Sequence, residues 1–113
     1  MSRRDWTLFV ADMQEACDKI AMYTSGMDFE AFCADTRTVD AVVRNLEIIG
    51  EASKGIPTEN KLLQPGVDWT AIKGLRYRIV HEYFGLSLAV IWAIVQIDLP
   101  VLAQQLSNWP DKP

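Results

Sequence analysis

The sequence is poor in the residue types that build metal centres and disulfide frameworks. Its 113 residues contain two cysteines and one histidine, and the spacing of Cys17 and Cys33 matches neither a zinc motif nor a disulfide scaffold. We therefore predict no metal site and no cofactor. Both cysteines are expected to be reduced and buried as small apolar residues.

Long hydrophobic runs and an excess of positive charge are also missing. The longest apolar stretch, Leu88 to Val95, is far shorter than the roughly 20 residues needed to cross a bilayer. Arg3 and Arg4 precede Asp5 rather than the apolar core of a secretory signal, so the expected location is cytoplasmic, with no membrane. The net charge is -4, which means that any nucleic-acid site must be a local cluster of cations.

Period-two alternation of apolar residues, the mark of a half-buried strand, does not occur, and helical spacing takes its place. Apolar residues recur every three or four positions in four segments that begin near Trp6, Val39, Trp69 and Ile91. A short helix is expected between Asp28 and Cys33. One domain, residues 1–113, suits this length. The predicted fold is all-α: an antiparallel helical bundle of four main helices plus a short extra helix.

Residues that favour helix ends divide these segments. Gly26 is expected to end the first helix. Side-chain oxygens are expected to cap three later helices, at Asp35, Asp68 and Ser87. Residues 55–68 hold two prolines and two glycines, which predicts a connecting loop with at most one helical turn near residues 61–64. Pro100 is expected to kink the last helix, because its ring removes a hydrogen-bond donor.

A local cluster of cations does occur, in the segment Lys-Gly-Leu-Arg-Tyr-Arg-Ile-Val-His-Glu-Tyr at residues 73–83. It holds three of the eleven basic residues and the only histidine. Arginine is always charged and suits phosphate oxygens, whereas histidine exchanges a proton near neutral pH. Together they could cleave a phosphodiester without a metal, His81 acting as general acid or base and Arg76 stabilising charge on phosphorus. A cyclic phosphate product is expected.

Helix geometry sets a condition on this chemistry. Arg76 and His81 are five residues apart and therefore rotated by roughly 140° on a straight helix. Either the helix unwinds near His81, or a second subunit completes the cleft. Arg76 and Tyr83 lie along one face, which suggests an interface. The alternative interpretation is structural: His81 packs or caps near a helix end, and residues 76–78 form a solvated turn.

At these residues the sequence resembles the HEPN family (higher eukaryotes and prokaryotes nucleotide-binding domain), specifically its HepT-like toxin branch. Arg76, His81 and Tyr83 match the signature R-x-x-x-x-H-x-Y of that branch. The resemblance extends to Arg-Asn-Leu-Glu-Ile-Ile-Gly-Glu-Ala at residues 44–52, to Trp69, and to Asp-Leu-Pro at residues 98–100. One departure is Tyr77, since many HEPN nucleases have a small polar residue, often Asn, directly after the arginine.

The resemblance implies a homodimer in which two signatures face a shared cleft, and a metal-independent endoribonuclease that acts on RNA as a toxin. Arg76 and His81 carry over as catalytic residues. The implied partner is a minimal nucleotidyltransferase antitoxin, as in a type VII-like toxin–antitoxin pair. It would transfer AMP from ATP to Tyr83 (AMPylation), placing negative charge next to Arg76 where the RNA backbone would lie.

Further residues are secondary candidates for the cleft. Beside the signature they are Tyr77, Arg78 and Lys73. On the third helix they are Arg44, Glu47 and Glu51, which belong to a polar stripe that is equally well explained as a solvated, salt-bridged face. The tryptophans Trp69, Trp92 and Trp109 are expected in the core or at the dimer face.

Two other functions remain open from the sequence. One is a non-catalytic nucleotide- or substrate-binding subunit of a two-component nucleotidyltransferase, in which Arg76 and His81 only hold phosphate. The other is a plain structural dimer. RNA cleavage that persists in EDTA and disappears in His81→Ala would separate the nuclease from both.

Overall fold

A computed structural model describes residues 5–82 and 87–109 of the chain. Within these two ranges every regular element is helical, which confirms the all-α prediction. In chain order the elements are α1 (Trp6–Thr24), α2 (Phe29–Ala34), α3 (Thr36–Ser53), α4 (Thr58–Lys61), α5 (Trp69–Glu82), α6 (Leu88–Ala93), a π-helical segment (Ile94–Asp98) and α7 (Leu99–Ser107). The last three elements form one continuous helix of 20 residues. The bundle thus has four main helices and two short ones, one more than predicted.

The predicted helix ends are confirmed where local chemistry determines them. Gly26, just beyond α1, has a φ of +79°, a conformation that glycine adopts without strain. The predicted caps accept backbone N–H donors at 3.0–3.1 Å, from Thr38 to Asp35, from Ala71 to Asp68 and from Ala89 to Ser87. Each cap satisfies a donor that the first turn of a helix leaves without a partner.

The helical turn in the loop lies earlier than predicted, at Thr58–Lys61 rather than at residues 61–64. Pro57 is the N-cap residue of this turn, with its φ fixed by the ring at -62° and an extended ψ of 150°. The indole N–H of Trp69 then donates to the carbonyl oxygens of Lys61 and Gln64, both at 3.2 Å. The end of the turn is therefore set by a residue on the next helix.

The last helix adapts to Pro100 by widening. The N–H of Leu99 donates to the carbonyl of Ile94, five residues back, and this π geometry spans Ile94–Asp98. A proline ring crowds the carbonyl four residues earlier in an α-helix, and a wider turn gives it room. The predicted disturbance therefore takes the form of a π segment just before Pro100.

The core is built around α3, which packs against both α1 and α5, while α7 packs against α1 and α2 against α3 and α6. Fully buried side chains at its centre are Met13, Ile20, Phe32, Val42, Leu46, Ile49 and Ile91. Trp92 contacts Phe32 with ring centroids 5.0 Å apart, and Trp109 is buried between Trp6 and Trp69 at 5.5 and 5.7 Å. Core positions for these tryptophans agree with the sequence.

The two cysteines differ, which corrects the expectation that both are buried. Cys17 is buried, and burial, followed by the charge of Asp18, raises the pKa of its thiol to about 11. Cys33 is exposed near the end of α2. Only Phe32 is buried in this short helix, and the neighbouring Cys33 consequently lies on a solvent-facing side.

The helix Leu88–Ser107 is long and apolar enough to span a membrane when judged by length and composition alone. This differs from the sequence analysis, in which the uninterrupted apolar run was too short. Core helices of soluble proteins pass the same test, so the observation is weak evidence for a membrane. Only 22% of its most apolar window is buried, and much apolar surface on this helix therefore lies open.

Candidate functional site

The candidate site is built on α5, the helix that carries the cluster of cations. Asp68 caps its first turn through the N–H of Ala71 at 3.0 Å, and Ile72 and Ile79 bury one face of it. The backbone stays helical through His81 to Glu82. The helix therefore does not unwind between Arg76 and His81. Unwinding towards Gly85, the first of the two predicted ways to bring these side chains together, lies outside the described residues.

A continuous helix fixes the angular order of the candidate positions. With 100° per residue, Arg76 lies about 60° around the axis from the buried Ile79, and His81 lies about 160° away on the opposite side. Lys73 and Tyr77 fall in the arc between Arg76 and His81. Along the axis Tyr77 lies between Arg76 and His81, whereas Lys73 lies about 4.5 Å before Arg76. A ligand that reached both signature positions from outside would therefore cross Tyr77.

Two described side chains of that arc, Lys73 and Tyr77, are open to solvent. The side chain of Tyr77 is 60% exposed and Lys73 is exposed. Gly74 lies about 20° around the axis from His81 and about 10 Å from it along the axis. A Cβ atom built at Gly74 would meet no heavy atom of the described residues within 4 Å. The surface thus offers an aromatic ring, an ammonium group and a stretch of bare helix backbone.

Some predicted site residues lie outside the described part of the chain. They are Tyr83 as a whole and the side chains of Arg76, Arg78 and His81. Their predicted roles stay predictions. The structure describes the backbone of α5, which carries Arg76, Arg78 and His81, and the surroundings of that helix.

The candidates on α3 lie in different environments. Glu51 pairs with Lys54 at 3.7 Å and lines a groove with Phe9 and Asp12 of α1. This pair agrees with the interpretation of a solvated, salt-bridged face. Arg44 is exposed and Glu47 is half-buried.

The structure adds Lys61, which the sequence analysis did not single out. Its Nζ atom lies 5.5 Å from the ring centroid of Trp69, at the start of α5. Burial, and then the charge of Lys73, lower the pKa of Lys61. Lys61 and Trp69 are eight positions apart, in a segment without periodicity, and no sequence pattern indicates that the two meet.

Comparison with known proteins gives consistent matches. The family model described as "Ribonuclease HepT-like" matches residues 13–108. A Thermococcus cleftensis protein named "Probable ribonuclease HepT" is 42% identical over 94 residues, 83% of this chain and 86% of its own length. A "Putative RNase" from Methanocaldococcus jannaschii is 35% identical over 106 residues, covering 94% and 97% of the two chains. Another "Putative RNase", from Caldanaerobacter subterraneus, is 35% identical over 100 residues, covering 88% and 89%. No solved structure matches.

Proposed function

Because the chain belongs to the HepT-like ribonuclease family, we propose that it is a metal-independent endoribonuclease whose reaction is carried by Arg76 and His81. The observation that carries the proposal is the family match over residues 13–108, which includes the whole of α5. The exposed Tyr77 between the two signature positions supports it, since an RNA strand must reach both positions from solvent.

In the proposed reaction His81 accepts the proton of a ribose 2′-hydroxyl. The 2′ oxygen attacks phosphorus, the bond from phosphorus to the 5′ oxygen breaks, and the imidazolium returns the proton to that leaving oxygen. The products are a 2′,3′-cyclic phosphate and a free 5′-hydroxyl. Arg76 stabilises the charge that builds on the phosphoryl oxygens.

The proposed assembly is a homodimer. Since α5 does not unwind before Glu82, the positions of Arg76 and His81 stay about 140° apart in one chain, and a second copy can complete the cleft. An apolar groove between α5 and the last helix includes Leu75, Ile97 and Val101. Ile97 is 65% exposed and Val101 57%. Burial of these side chains against another apolar surface would be favourable, and a second copy of the chain offers such a surface.

The proposed biological role is that of a toxin held inactive by a minimal nucleotidyltransferase antitoxin. AMP transfer to Tyr83 would add phosphate charge two residues after His81 and compete with RNA for Arg76. With ATP and the partner, the intact mass of the toxin should increase in multiples of AMP. A toxin with Tyr83→Phe that gains the same mass would contradict the assignment of Tyr83.

The nuclease is tested with purified protein, a defined single-stranded RNA and excess EDTA. We expect the wild type to cleave and leave a cyclic phosphate end. His81→Ala should lose about 100- to 10,000-fold in rate, the usual contribution of general acid–base catalysis. Lys19→Ala, which removes an exposed cation of α1, is the matched control and should cleave normally. A wild type that binds RNA but does not cut it would favour the non-catalytic binding subunit.

A further inference from the structure

A second feature of the α5 surface involves Lys61, which lies outside the signature. The indole of Trp69 holds the loop against α5 by donating to the carbonyls of Lys61 and Gln64 at 3.2 Å. The ammonium group of Lys61 lies 5.5 Å from the same ring, a cation–π distance. Trp69 thus contacts both the backbone carbonyl and the ammonium group of Lys61, and Lys61 has a defined place beside α5.

Lys61 has a second cation in its surroundings, Lys73, and neither forms an ion pair within the described part of the chain. Lys73 lies one helical turn after Trp69 and is close enough to contribute to the lowered pKa of Lys61, after the effect of burial. The ion pairs within residues 5–82 and 87–109 join Lys19 to Glu15 and Lys54 to Glu51. Neither Lys61 nor Lys73 belongs to them. An anion next to both ammonium groups would relieve their repulsion.

The pair lies on the Arg76 side of the arc between Arg76 and His81. Lys73 precedes Arg76 by three residues, which is about 4.5 Å along the axis and about 60° around it. Trp69, which carries Lys61, lies about 10 Å from Arg76 along the axis. A strand that placed one phosphate at Arg76 could therefore bring a neighbouring phosphate to the two lysines.

We propose that Lys61 and Lys73 form a phosphate-binding subsite that holds the RNA strand next to the phosphate being cleaved. The subsite rests on the proposed function, because RNA is its ligand. It recognises the backbone rather than the base: the ammonium groups bind phosphate oxygens, and Lys61 covers the ring of Trp69. For RNA strands longer than a dinucleotide, the subsite increases the binding affinity and fixes which phosphate lies at Arg76.

The test measures binding of a ten-nucleotide 2′-O-methyl RNA, which lacks the attacking hydroxyl and stays intact, at a series of salt concentrations. Each phosphate contact contributes about 0.7 to the slope of log affinity against log salt for a single strand. Lys61→Gln and Lys73→Gln should each lower the slope by about that amount. Lys61→Arg should keep it, and Lys19→Gln is the control with the same loss of charge. Thermal melts establish that each variant is folded.

Cleavage assays supply the second measurement. Lys61→Gln should cut a ten-nucleotide RNA about three- to fivefold more slowly, the size expected for one exposed charge contact. It should cut a dinucleotide, which has only the scissile phosphate, at the wild-type rate. An unchanged salt slope in Lys61→Gln overturns the subsite, even in an active nuclease. A wild type that cuts no RNA overturns the proposed function instead, whatever the slope shows.

Discussion

Two glycines in contrasting environments illustrate how single positions act in this protein. A Cβ atom on Gly55 would lie 2.5–2.6 Å from three ring atoms of Phe9, whereas one on Gly74 would meet nothing within 4 Å. Gly55 is therefore required by packing between α1 and the end of α3. Gly74 has no such reason within the described residues, although glycine in a helix interior costs about 0.5–1 kcal/mol relative to alanine.

Alanine at these two glycines should change stability in opposite directions. Gly55→Ala should lower the free energy of unfolding by about 1–3 kcal/mol, because the ring of Phe9 must move. Gly74→Ala should raise it by about 0.5–1 kcal/mol through helix propensity. Urea denaturation measures both values.

RNA cleavage by Gly74→Ala provides a further measurement. Because Gly74 lies on the same side of α5 as His81, about 10 Å away along the axis, we expect slower cleavage by Gly74→Ala despite the higher stability. A variant that is more stable and equally active would show that the bare backbone does not serve RNA.

Helix caps are the features of single elements that the sequence predicted best, because each depends on residues two or three positions apart. Asp35 accepts from the N–H of Thr38 at 3.1 Å and from its hydroxyl at 2.9 Å. These two hydrogen bonds, the backbone one first, lower the pKa of Asp35 below its ordinary value of 3.8. The ionised carboxylate is thus the form that stabilises the start of α3.

This cap predicts a pH dependence of stability. The pKa of Asp35 is lower in the folded than in the unfolded protein, so its contribution is present above about pH 4 and is lost as the pH falls through the folded value. Asp35→Ala should lower the melting temperature at pH 7 and have a smaller effect in acid. The exposed Asp18 of α1 supplies the control, since Asp18→Ala removes the same charge without a cap. An equal loss at both pH values would contradict the role of the carboxylate.

Other elements could not be predicted because they depend on distant contacts. The turn at Thr58–Lys61 ends where the indole of Trp69 binds it, and no local signal carries that information. The π segment shows a different limit. Pro100 predicts a disturbance of the last helix, but whether that helix kinks or widens depends on how its neighbours pack. Cys33 was misjudged because one buried residue, Phe32, decides which side of the short α2 faces the core.

At the scale of the whole molecule, the apolar groove between α5 and the last helix predicts self-association. Val101→Asp should convert a dimer to a monomer, since it places a charge on the proposed interface. The monomer should stay folded, because Val101 is 57% exposed in the single chain. Analytical ultracentrifugation measures the mass, and the same sample is assayed for RNA cleavage, which should be lost.

Met22→Asp is the matched control for this interface. Met22 is 65% exposed on α1 and does not line the groove. This variant should remain dimeric and active. If the wild type is monomeric and binds lipid vesicles instead, the apolar face of Leu88–Ser107 serves a membrane and the proposed dimer is wrong.

The part of the candidate site that lies on one helix could be predicted from the sequence. The spacing from Arg76 to His81 predicts the chemistry, which stays a prediction, and also the angular separation of the two positions, which the continuous α5 confirms. Lys61 could not be predicted, because its approach to α5 depends on the hydrogen bonds of Trp69. The proposed contribution of a second copy to the cleft is likewise not contained in the pattern of one chain.

The exposed apolar side chains of the last helix have a consequence for how activity depends on the amount of protein in the cell. If two copies must meet before the cleft is complete, activity at low abundance grows with the square of the copy number. A few stray molecules would then stay apart and leave cellular RNA intact, and harm would begin only once expression exceeded the dissociation constant of the pair.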